Sequence, residues 1–110
     1  MRIYKHEWRR NKTVYINSTM GFCKVNIYHE THQTVAELYD LIVFPDFRGH
    51  GIGENLMEMA VEQARLEGAD VLVLWPDCEK WTENWYHRLG FERNDNYRNH
   101  DGEPGLAKKL

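Results

Sequence analysis

The sequence predicts an α/β domain in which helices flank a mixed, mostly antiparallel central sheet. Three observations predict it. At 110 residues the chain is long enough for one core and too short for two. Its first third alternates apolar and polar residues around a turn, which is how antiparallel strands with one wet face read. Its middle runs strand, glycine turn, amphipathic helix, strand, and a helix of that length between strands implies a right-handed parallel crossover.

Residues 1–10 are polar with scattered aromatics and read as a short edge strand, with Lys5, Arg9, Arg10 and Lys12 as a solvated basic face. Residues 13–17 are β-branched and aromatic, and Ser18, Thr19, Met20 and Gly21 make a turn. Residues 22–30 then place Cys23, Val25 and Ile27 on one face and Lys24 and Asn26 on the other, so the two strands form a hairpin. His29 and His32 have helical metal-ligand spacing, but they sit at a turn with no third ligand nearby, so no metal is expected. Residues 35–44 form the strongest strand, and their apolar content predicts a central position covered on both faces. Glu37 and Asp40 stand out there, because a carboxylate on a central strand costs free energy unless it is paired or reaches a wet cleft. For Asp40 a wet strand end serves equally well.

After the glycine turn, Ile52, Leu56, Met59, Ala60 and Ala64 recur at three- and four-residue spacing and predict a helix over 54–67. Gly68 ends it as a left-handed cap. Residues 71–75 are wholly apolar and read as a buried strand. Thr82 is placed to cap a second helix that carries Trp81, Trp85 and Leu89 and stops at Gly90. Residues 91–97 read as another strand and 106–110 as a last edge strand.

Charge narrows the function. A net charge of -3 and a pI near 6.0 speak against nucleic acid as a partner, since phosphate binding wants a basic field. No apolar window approaches a membrane span or a signal core, so no membrane partner and a cytoplasmic location are expected. The two cysteines, Cys23 and Cys78, lie far apart and read as buried, reduced thiols.

The chain is organised around Arg48-Gly49-His50-Gly51-Ile52-Gly53, a glycine turn between a strand and a helix. The first amides of a helix have no internal partners and share the positive end of its dipole, so the turn is an anion cradle, and Arg48 adds a charge at its lip. A P-loop is excluded because no lysine follows Gly53, and a dinucleotide fingerprint is excluded because Leu56 stands where glycine or alanine is needed. What fits is Arg/Gln-x-x-Gly-x-Gly/Ala, followed after the expected helix and strand by Trp85-Tyr86-His87-Arg88-Leu89-Gly90-Phe91. In these features the chain resembles the GNAT superfamily of N-acetyltransferases, from Ala36 to Phe91 most closely.

That resemblance implies a GNAT-like fold and acetyl-CoA as cosubstrate, with no metal. It implies that Arg48, Gly49, His50, Gly51, Ile52 and Gly53 bind the pyrophosphate, where glycines let the backbone approach. The pantetheine arm is expected in a gap between residues 35–44 and 71–75, against the backbone of Leu41, Ile42 and Val43. A backbone N–H near Val43 would steady the developing oxyanion. Tyr86 stands where the family's general acid stands and would also touch the coenzyme. Glu37 is the candidate base, six residues before Val43, with Asp40 as substitute; an apolar groove would raise the pKa of such a carboxylate. Glu79 and Thr82 depart from an asparagine and an alanine usual in the family. The fold reads as N-terminally truncated, so the acceptor site is either open or completed by a second subunit, with Trp8, Tyr15 or Tyr28 lining a homodimer contact. The expected partner is an amine acceptor, protein or small molecule. A catalytically silent acyl-CoA-binding or protein-interaction module is the alternative.

Overall fold

The computed structural model describes residues 1–8, 10–76 and 80–110, with residues 80 and 81 described by their backbone alone. Arg9, Cys78, Glu79 and the Trp81 side chain therefore lie outside the described residues. In chain order the elements are β1 (Arg2–Trp8), β2 (Asn11–Asn17), β3 (Gly21–His29), β4 (Thr34–Val43), a 3-10 turn (Pro45–Phe47), α1 (Ile52–Leu66), β5 (Val71–Leu74), α2 (Lys80–Arg88), β6 (Glu92–Arg98) and β7 (Pro104–Lys109). The strands form one sheet in the order β1-β2-β3-β4-β5-β7-β6. Every neighbouring pair is antiparallel except β4 and β5, which are joined by the crossover through α1.

Alternation decides which face is covered. Val14 and Ile16 of β2, Cys23, Val25 and Ile27 of β3, and Ala36 and Leu38 of β4 point to one side, where they bury against Leu56, Met57, Ala60 and Ala64 of α1. Tyr86 and Trp85 of α2 join the same cluster. Among the described residues both helices thus lie on one face. The other face has a small cluster only, Val35, Val71 and Val73 with Trp75, Tyr97 and Ala107 packed on it.

The hairpin turn forms as its residues predict. Ser18 Oγ accepts the amides of Met20 and Gly21 at 3.1 and 3.2 Å. A Cβ on Gly21 would stand 2.3 Å from the Ile42 carbonyl oxygen, so only glycine lets β3 start this close to the end of β4.

Four expectations are corrected. The strand read as 106–110 is not an edge, because β7 lies between β5 and β6. The reason is polarity: β6 is exposed along most of its length and suits the rim, whereas β7 brings buried Gly105 and Leu106 to an inner position. β4 is buried only as far as Leu38, and its second half is partly open. Thr82 is the third residue of α2 rather than its cap. The basic face is not merely solvated: Lys5 and Lys12 reach Glu67 at 2.9 and 2.6 Å. An acidic group at a helix C-terminus opposes the dipole, and the two ammonium groups offset that repulsion. Burial alone would raise the Glu67 pKa, but hydrogen bonds from Lys12 and Lys5 outweigh it and hold the carboxyl below its ordinary range.

A carboxyl with a depressed folded-state pKa contributes stability above its unfolded value, and that contribution is lost as pH falls through the folded value. Glu67→Gln should therefore lower the melting temperature at pH 7 and leave it near wild type at pH 3. Thermal melts at the two pH values check this.

Candidate active site

The site begins with one extra residue. Val25 on β3 faces Leu38 on β4, but the next β3 residue, Lys24, faces Asp40, so Tyr39 is a bulge. The bulge shifts the alternation. Before it Ala36 and Leu38 point to the helices, and after it Leu41 and Val43 do. Glu37, Asp40 and Ile42 consequently share the opposite face.

The strand also bends away from its parallel neighbour. β4 pairs with β5 only at Val35–Val71, Ala36–Leu72 and Glu37–Val73. Beyond Glu37 the two strands part, and a cleft opens in two lobes. The larger, about 560 Å³, is bordered by Tyr39, Asp40, Ile42, Trp75 and Pro76. The smaller, about 420 Å³, is bordered by Phe47, Gly49, Gly51, Ile52, Gly53, Glu54 and Trp85. Leu41, Val43, Arg48, Thr82 and Tyr86 border both.

The backbone of β4 turns donors into this gap. Phe44 N–H donates to the Met20 carbonyl at 2.9 Å, on the side of β3. Strand alternation then points the Val43 N–H the other way, to the side that β5 has left. The Val43 carbonyl, on that same side, accepts a hydrogen bond from Arg48 Nε at 3.2 Å. This bond ties the glycine turn to the end of the strand.

In the turn, Gly49 and Gly51 have φ of 81° and 78°, the left-handed region that side chains resist. A Cβ on either would meet nothing within 4 Å, so the turn presents bare backbone to open space. Asn55 N–H makes the first helical bond, to the Gly51 carbonyl at 3.1 Å. The amides of residues 52–54 precede it and lack partners within the helix. With the exposed Arg48 beside them, these donors fit a pyrophosphate. His50 is exposed and borders neither lobe. Gly53 is different in kind: it lies in α1, and its Cβ would make ordinary 3.6 Å contacts with Trp85 and Val43.

Tyr86 is nearly buried, at 9% exposure, yet borders both lobes. Its ring packs edgewise on Trp85 and Phe91, with centroids 5.0 and 6.0 Å away. Gly90, at φ 95°, ends α2, and the Phe91 amide returns to the Tyr86 carbonyl at 3.1 Å.

The two carboxylates are placed differently. Asp40 borders the larger lobe with Tyr86, and Lys24 Nζ stands 3.9 Å from it while lying over the Tyr39 ring. Glu37 borders neither lobe and sits at the last β4–β5 pair. Burial raises its pKa, and a hydrogen bond from Tyr28 acts in the other direction. Trp8 and Tyr28 pack edge to face within the chain, with centroids 6.5 Å apart, whereas Tyr15 stands exposed.

Sequence reasoning did not single out Trp75 and Tyr39 as cleft residues. Trp75 is held over Gly105, and its indole N–H donates to the Glu103 carbonyl at 2.9 Å, a contact between distant segments. Thr82 carried a readable signal, since four residues before Tyr86 is one helical turn on the same side.

The acetyltransferase (GNAT) domain family matches residues 6–93. An uncharacterized N-acetyltransferase of Methanocaldococcus jannaschii is 44% identical over 62 residues, 56% of this chain and 27% of that protein. A mycothiol acetyltransferase of an Arthrobacter species is 32% identical over 79 residues, 69% of this chain and 24% of that protein. Among solved structures, the PaiA N-acetyltransferase of Thermoplasma acidophilum in complex with coenzyme A has a TM-score of 0.67 at 22% identity, over 91% of this chain and 60% of that one. This chain thus matches about a quarter of the length of these curated relatives. With the family match spanning most of its residues, the chain belongs to the GNAT acetyltransferase family.

Proposed function

We propose that this chain transfers an acetyl group from acetyl-CoA directly to a primary amine. The observation that carries the reading is the parting of β4 from β5 beyond Glu37, which leaves a cleft bordered by the glycine turn on one side and Tyr86 on the other. In this reading Arg48 and the amides of the turn hold the pyrophosphate in the smaller lobe. The pantetheine arm runs along Leu41, Ile42 and Val43 as a substitute for the missing strand pairing, and the thioester reaches the larger lobe.

The chemistry then balances. The amine nitrogen attacks the thioester carbonyl, an N–C bond forms and the C–S bond breaks. The Val43 N–H steadies charge on the carbonyl oxygen. The leaving sulfur takes a proton from the Tyr86 hydroxyl, and the proton lost by the amine passes through water to Glu37; once the products leave, Glu37 releases its proton to solvent and Tyr86 takes one back from solvent. Asp40, at the mouth of the larger lobe, is the substitute base. Because both helices lie on the far face, the acceptor comes across an open sheet surface. That suits a protein amine as well as a small molecule, and a homodimer through this surface would give the acceptor a second wall.

Acetyl-CoA at about 100 times its Kd should stabilise the fold by about 2.7 kcal/mol, on the order of 10 °C in Tm. Gly51→Glu should abolish the shift, because it forces a side chain onto a left-handed position and a negative charge onto the cradle. No shift for wild type at millimolar ligand would refute the coenzyme reading. A shift without thiol release from any amine would favour the silent binding module instead.

Tyr86→Phe should lower kcat by about 100-fold, the scale of a lost general acid, while sparing coenzyme affinity. Unchanged turnover would remove it from the acid role.

Glu37→Gln should lower the rate and, because a neutral amide is cheaper to bury than a carboxylate, raise the melting temperature at pH 7. The gain should vanish below about pH 4.5, where the unfolded-state carboxyl is itself protonated. A rate loss in Asp40→Asn but not in Glu37→Gln would transfer the base role to Asp40.

A further inference from the structure

The bulge at Tyr39 does more than bend β4. Under strict alternation Asp40 would stand opposite Cys23, on the helix side of the sheet. The extra residue sets it opposite Lys24 instead, on the open face. The Lys24 side chain then reaches over β4 toward the larger lobe of the cleft. Its Nζ lies 3.9 Å from Asp40 Oδ2 and 4.9 Å from the centroid of the Tyr39 ring. Both of those residues border the lobe that, in the acetyl-transfer reading, receives the thioester. One inserted residue thus brings a primary amine of this chain to the mouth of its own cleft.

The way this amine is held sets it apart from the other described lysine side chains. Lys5 and Lys12 donate to Glu67 at 2.9 and 2.6 Å, beside the C-terminal end of α1. Lys108 Nζ donates to the Leu89 carbonyl at 2.9 Å, and Lys109 borders a separate cavity with Asp70 and Tyr97. Lys24 is drawn by a carboxylate and an aromatic face, but 3.9 Å is too long for a hydrogen bond. Its side chain is 31% exposed, and an ion pair that exposed contributes little, so the amine leaves it at small cost. The nitrogen is kept near the lobe without being locked.

Resting on the acetyl-transfer reading, we infer that Lys24 is a self-acetylation site, taking an acetyl group from acetyl-CoA bound to the same molecule. Attachment to the chain makes the step unimolecular, which raises its rate over that of a free amine. The ammonium first gives a proton to solvent. The neutral Nζ then attacks the thioester carbonyl, the N–C bond forms and the C–S bond breaks. The nitrogen gives up a second proton as the sulfur takes one. The products are acetyl-lysine, the coenzyme thiol and one proton in solvent. The new amide is neutral, so it ends both the ion pair with Asp40 and the cation–π contact with Tyr39.

The test incubates the full chain with acetyl-CoA and no added amine. Intact mass spectrometry follows the modification, and peptide mapping locates it. One acetyl group should be added, at Lys24, with an equal amount of thiol released. The rate constant should not change with protein concentration, as a step within one molecule requires. Desulfo-coenzyme A in excess, which fills the coenzyme site without carrying a thiol, should slow the modification several-fold. Lys24→Arg keeps the charge and should lose the modification, while acetyl-CoA still raises its melting temperature. Acetyl groups spread over several lysines and insensitive to desulfo-coenzyme A mark purely chemical acylation and overturn the inference. A rate constant that rises in proportion to protein concentration also overturns it. So does an unmodified Lys24 in a protein that releases thiol with an added amine, and that result leaves acetyl transfer itself standing. Absence of thiol release both from the chain alone and with every added amine refutes the transfer reading and the inference with it.

Discussion

The structure depends on a strand pair that does not stay together. β4 and β5 hold three residue pairs and then separate, and the glycine turn, Tyr86 and the two carboxylates are arranged around the gap. Parting exposes backbone donors and acceptors that a closed sheet would satisfy, which is unfavourable unless something else takes those bonds. Part of the demand is met within the chain, since Arg48 Nε takes the Val43 carbonyl. The rest is available to a ligand that can lie in the gap as a strand would. The inserted residue, Tyr39, is what makes the bend local and abrupt.

The same insertion resolves a conflict between packing and chemistry. A strand of strict alternation that buried Ala36 and Leu38 would also bury Asp40 and Ile42 on the helix side. Shifting the phase at Tyr39 sends Leu41 and Val43 to the core and leaves Asp40 beside Glu37 on the open face. The carboxylates then avoid the apolar interior, where an unpaired charge is most costly. Glu37 keeps a partial burial that raises its pKa, and Tyr28 limits the rise. A site that needs a proton acceptor near neutral pH requires a balance of that kind.

The ends of the two helices do opposite jobs. At the start of α1 the left-handed Gly51 leaves amides open for a ligand. At its other end Glu67 opposes the dipole and is clamped by Lys5 and Lys12, which fastens the outer hairpin to the helix. The membrane question has a narrower answer: among the described residues no helix is long and apolar enough to cross a bilayer.

Local signals carried most of what the sequence determined by itself. The hairpin around Ser18 to Gly21, the strand–turn–helix–strand order, the left-handed glycines and the Tyr86-x-x-x-Gly90-Phe91 frame are all encoded within a few residues of one another, so the mixed sheet and the GNAT family were legible. Tertiary structure decided whatever depends on register between distant segments. The sequence could not say that β7 would slip inside β6, because either strand alone satisfies a rim or an interior; their joint packing against Leu74 and Trp75 chooses. Nor could it say that Tyr39 would bulge, that Lys12 would reach Glu67, or that Tyr28 would pack on Trp8 and accept from Asn26 rather than line a surface. Each of those is a cross-strand or strand–helix contact, and its geometry exists only once the registers are set.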